Sequence, residues 1–96
     1  MKTVFKVDIN TSDFLNEYKK YGKNSFLCPS GFNSISDFVK GCKEFPGRNM
    51  LVTFSFDEPM WFNLGDTVLL NNIYYKVTNK TFHANHNIIS YYLNFE

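Results

Sequence analysis

Four side chains in this sequence could do metal or nucleophilic chemistry: Cys28, Cys42, His83 and His86. A thiol paired with an imidazole is the minimal nucleophile, and all four together are the right types for zinc. Their spacing argues against both. Cys28 precedes Pro29 in a turn, and Cys42 falls on the apolar face of a predicted helix. Structural zinc sites usually offer cysteines as a close pair, and here thirteen residues separate them. His83-Ala84-Asn85-His86 is tighter than finger spacing and sits in an Asn-rich segment, so a polar loop is the simpler reading. The carboxylates give no acid/base pair: Asp57 and Glu58 are adjacent and lead into Pro59, which suits a turn. The glycines are scattered at element ends rather than gathered in a phosphate loop, and no serine occupies a nucleophile elbow. The expectation is a chain that is not an enzyme and needs no metal or cofactor.

Aromatic side chains offer a different kind of chemistry. They are 19% of the 96 residues, eleven Phe and six Tyr among them. The stretch "EPMWF" places Met60, Trp61 and Phe62 after a proline-set turn, and these types are enriched where proteins bind one another. The alternative is a lid packed over the open end of a barrel. Tyr74 and Tyr92 fall on the less apolar faces of their strands, with Lys76 near Tyr74. Such tyrosines can stack nucleobases or pair across strands, and cross-strand pairing alone is worth up to about 1 kcal/mol. A net charge of +1 and the absence of a basic run favour cross-strand pairing. The closest thing to a basic cluster, Lys19, Lys20 and Lys23, reads as a solvated helix end.

The elements that must position these residues are legible from periodicity. Residues 3–9 alternate, with Phe5, Val7 and Ile9 on the apolar side of a strand. Residues 13–21 form a helical stripe of Phe14, Leu15, Tyr18 and Tyr21, capped by Thr11 or Ser12 and stopped by Gly22. Residues 23–33 read as a loop with a "CPSG" turn signal. A second helix over 35–43 begins at Ser34, with Ile35, Phe38, Val39 and Cys42 on one face, and "FPGRN" ends it. Residues 49–56 alternate again. In "GDTVLLNNIYYKV" a turn at Asn71-Asn72 would pair Leu70 with Ile73, Val68 with Tyr75, Leu69 with Tyr74 and Thr67 with Lys76. The last strand puts Ile89, Tyr91, Leu93 and Phe95 on one face and could serve as a pairing edge.

The predicted fold is α+β, a single domain over 1–96, in the order β-α-α-β-β-β-β. Its strands suit an antiparallel meander that can curl into a partial barrel, with two short helices inserted after the first strand. The GD-x-V-x-x-N-N-x-x-Y hairpin, about a seventh of the chain, is similar to hairpins of many small barrels, including phage neck and tail components. That hairpin recurs on unrelated folds, so no functional residue is carried over from it. The Phe, Tyr, Asn, Ile and Lys content suits an AT-rich coding genome.

No stretch approaches the roughly 18 apolar residues of a membrane span, and residues 1–8 lack the apolar core of a signal peptide. The sequons at Asn10 and Asn79 are then incidental, the cysteines are expected reduced, and the expected location is a host cytoplasm or a virion. The functional expectation is a non-catalytic protein-interaction module with Met60, Trp61, Phe62, Tyr74 and Tyr92 as contact residues. Its most concrete form is a small structural or adaptor protein of a phage particle, self-associating or bound to another protein. A soluble inhibitor of a host or defence protein and a single-strand nucleic-acid binder are the alternatives.

Overall fold

A computed structural model describes residues 1–70 and 73–95. The chain runs β1 (Lys2–Asn10), α1 (Thr11–Tyr21), a 3-10 turn (Lys23–Ser25), α2 (Ile35–Glu44), β2 (Asn49–Phe56), β3 (Thr67–Leu70), β4 (Ile73–His83) and β5 (Ile88–Phe95). This is the predicted α+β order. The strands form one five-stranded sheet, curled as a half-barrel, in the order β2-β1-β5-β4-β3.

Helix α1 starts two residues earlier than its stripe suggests. Asn10 is the cap in place of Thr11 or Ser12: its side-chain oxygen accepts from the amides of Ser12 and Asp13. Thr11 is unavailable as a cap because its buried hydroxyl donates to the Phe45 carbonyl at 2.6 Å. Gly22, at φ 83°, closes the helix as predicted, and its amide donates to the Tyr18 carbonyl. In α2 the Ser34 hydroxyl accepts from the Asp37 amide, and Phe38, Val39 and Cys42 are buried. Burial raises the Cys42 thiol pKa, which keeps it a small apolar group.

The register of β3 on β4 is the one the alternation dictates: Leu70 opposite Ile73, Leu69 opposite Tyr74, Val68 opposite Tyr75, Thr67 opposite Lys76. The Asn71-Asn72 turn itself lies outside the described residues. β3, β4 and β5 form the meander, and β2 leaves it to pair antiparallel with β1. The cause is connection length. The two helices carry the chain back beside β1, while residues 57–66 are too long for a tight hairpin between β2 and β3.

The expected edge role of β5 is overturned. β5 sits at the centre, parallel to β1 on one side and antiparallel to β4 on the other. Ile89, Tyr91 and Leu93 are buried, and even the outward Ser90 is covered. The outermost strands are β2 and β3.

The inner face of the sheet is the core. Phe5, Val7 and Ile9 from β1 meet Val52 and Phe54 from β2, Tyr91 and Leu93 from β5, and Tyr75 and Val77 from β4. The two helices and the segment between them cover one end through Phe14, Phe26, Phe32 and Phe38; Phe14 and Phe38 meet edge to face at 4.8 Å. Each such large side chain contributes about 1.5–3 kcal/mol on burial. The other end of the inner face is covered by residues 57–66.

Candidate interaction site

Residues 57–66 form a strap that crosses the inner face from one outer strand to the other. It touches the strands in their order in the sheet. At β1, the buried Thr3 hydroxyl donates to the Glu58 carbonyl (2.7 Å) and accepts from the Met60 amide (2.9 Å). At β5, the Tyr91 hydroxyl donates to the Met60 carbonyl (2.6 Å) and accepts from the Phe62 amide (2.9 Å). At β4, the Gly65 amide donates to the Val77 carbonyl, and the Val77 amide donates to the Asp66 carbonyl. The backbone groups of an irregular segment thus find partners on side chains and strands, as burial demands.

The strap ends in a turn over residues 63–66. The Asp66 amide donates to the Asn63 carbonyl, and the Asp66 carboxylate accepts from the Asn63 amide at 2.7 Å. Gly65 at φ 88° supplies the left-handed residue that this turn and the bulge entering β3 require.

Side chains alternate along the strap. Met60 and Phe62 turn inward: Phe62 meets the Tyr91 ring edge-on at 5.5 Å and lies 6.1 Å from Phe5. They serve as the lid. Trp61 lies between them and turns outward, 63% exposed. Leu64, further along the strap, is 64% exposed. A single strap therefore covers the core with two residues and leaves a third exposed, so the lid reading of "EPMWF" holds for Met60 and Phe62 and not for Trp61.

Tyr74 and Tyr92 lie elsewhere. In the β3–β4 register Tyr74 stands opposite Leu69 on the outer face, the side away from Met60 and Phe62. Tyr92 is also on the outer face, half-buried, with the Lys6 ammonium 5.4 Å from its ring. The five sequence-identified residues thus divide between the strap and the outer face of the sheet. The residues that periodicity could not assign are Thr3 and Tyr91. Both were legible as inner-face positions, but their hydroxyl partners lie 29 to 57 residues away along the chain.

His83 and His86 bracket the β4–β5 turn, where the His86 amide donates to the His83 carbonyl. Cys42 is in the core and Cys28 is exposed in the loop before α2. Among the described residues no three His, Cys, Asp or Glu side chains gather as a metal cage would need. No described helix is long and apolar enough to cross a membrane.

Comparison with protein-family models, with curated proteins and with solved structures finds no match for this chain.

Proposed function

We propose that the chain is a non-catalytic protein-interaction module whose principal contact is Trp61, and that its most concrete setting is a small structural or adaptor component of a phage particle. One observation carries the reading. Trp61 is held in water between two neighbours that are themselves fixed to the sheet by paired hydrogen bonds through Thr3 and Tyr91. An indole carried on a backbone that is already fixed loses less freedom on binding, and tryptophan is among the residues most enriched at binding hot spots. Met60 and Phe62 then act as supports of the contact, while Tyr74 and Tyr92 belong to a separate surface. The compact aromatic chain, and a Phe, Tyr, Asn, Ile and Lys content that suits an AT-rich coding genome, support the phage setting.

A photoreactive amino acid placed at position 61, with one at the exposed Lys43 as control, tests this in the producing cell. A discrete protein adduct at 61 and not at 43 is expected. Position 61 giving no more adduct than position 43 would sink the reading. The mass of the adduct distinguishes a particle component or second copy from a host target.

A further inference from the structure

The helices and the strap both pack on the inner face of the sheet and leave its outer face bare. Alternation with the buried Phe5, Val7, Tyr91 and Leu93 turns Lys2, Lys6, Asp8 and Tyr92 outward. The register carries this face on to β4, where Lys76 stands opposite Asn94 and Asn79 opposite Tyr92. Lys2, Lys6 and Lys76 are no run in the sequence; the sheet gathers them. Asp8 is the only carboxylate within the described strands. The face is therefore cationic in a chain whose net charge is only +1.

The two tyrosines of this face lack the cross-strand ring partners expected for them. Tyr74 stands opposite Leu69, and Tyr92 lies between Lys6 on β1 and Asn79 on β4. The group nearest the Tyr92 ring is the Lys6 ammonium, at 5.4 Å. From Tyr92, two residues along β5 lead to Asn94; its partner is Lys76, and two residues along β4 lead on to Tyr74. Each such step is about 7 Å, so ring, ammonium and ring succeed one another over about 14 Å.

We propose that this outer face binds single-stranded nucleic acid, with bases stacked on Tyr92 and Tyr74 and phosphates drawn to Lys2, Lys6 and Lys76. The charge of the face selects a polyanion, and rings interleaved with ammonium groups select one with flat faces to stack. A duplex suits it poorly, because its bases are already stacked and its stiff rod meets the convex outside of a half-barrel along a narrow line. The Lys6 contact to the ring is a weak one at the surface, so a base can replace it and leave the ammonium for a phosphate. Stacking and phosphate contacts do not depend on the sugar, so RNA and DNA single strands are equivalent occupants. This goes beyond the reading of Trp61 and does not require it.

Fluorescence anisotropy of labelled oligo(dT), oligo(U) and a duplex, each of about 10 nucleotides, tests the proposal on the full chain. Both single strands should bind, and the duplex about tenfold more weakly. Three neutralised phosphates give a slope of about −2 for log K against log salt, so affinity should fall about 20-fold between about 50 and 200 mM. Tyr92→Leu should weaken binding about tenfold and leave that slope unchanged. Lys2→Gln combined with Lys76→Gln, both at exposed positions, should lower the slope to about −0.7 with unchanged circular dichroism. The same change at the exposed Lys43 of α2 should leave the slope where it was. Absence of binding at about 50 mM salt overturns the proposal. So does a duplex held as tightly as the single strands, or a slope that the Lys2 and Lys76 changes do not lower.

Discussion

A buried threonine near each end of β1, Thr3 within the strand and Thr11 as the first residue of α1, pins a connection, and the two differ in what the connection does. Thr11 donates to the Phe45 carbonyl and accepts from the Arg48 amide. Thr3 donates to the Glu58 carbonyl and accepts from the Met60 amide. At Thr11 the held segment simply links α2 to β2, with further support from the Thr11 amide to the Arg48 carbonyl and from the Gly47 amide to the Ser12 hydroxyl. At Thr3 the held segment spans the sheet, gains a second clamp at Tyr91 and displays Trp61. The same local chemistry secures a short joint in one place and a strap across the sheet in the other. The lesson is that a buried hydroxyl marks a fixed backbone; beside one joint Phe45 is 52% exposed with the Arg48 guanidinium over its ring, and beside the other Trp61 is 63% exposed.

The comparison breaks most severely at Tyr91. Tyr91→Ala removes a fully buried ring and both strap bonds, and should cost about 3–5 kcal/mol in urea unfolding. Alkaline titration probes a ring whose constraint is burial. Burial pushes the Tyr75 hydroxyl from 10.0 to about 12. The unfolded chain releases that proton first, so the contribution is intact below pH 10 and is lost as pH rises toward 12. The loss should be about 2–3 kcal/mol, absent in Tyr75→Phe.

Thr3→Val and Thr11→Val sharpen the contrast directly. Each strands one carbonyl and one amide, at about 1–3 kcal/mol. Hydrogen exchange should quicken at the Met60 amide in the first variant and at the Arg48 amide in the second, with no crossover. Trp61→Ala should shift stability by no more than about 0.5 kcal/mol while abolishing association. A large loss of stability there would mean that the indole is part of the lid.

The sequence made the β3–β4 register readable because an apolar face must stay on one side of a pleat, and that constraint is local. It made Trp61 conspicuous by type. It did not place β5. Alternation of Ile89, Tyr91 and Leu93 fits an edge or a centre equally, although Ile88 and Tyr92 on the opposite side hinted at cover on both faces. Nor did it separate Met60 and Phe62 from Trp61, because the sorting depends on hydroxyls of Thr3 and Tyr91 supplied by remote strands. Tyr74 and Tyr92 were rightly read as outward, but outward on another face.

The parallel pairing of β1 with β5 also sets a clock on synthesis. At about 5–20 residues per second, Ile88 leaves the peptidyl centre roughly 4–17 s after Lys2. β1 can gain β2 early, but its other flank stays without a neighbour until residues 88–95 have been made. Through that interval Phe5 and Val7 belong to a half-built sheet whose middle strand does not yet exist. Nascent chains of this protein should therefore depend on the ribosome's own crowding, or on a holdase, until the last strand slides between the first and the fourth.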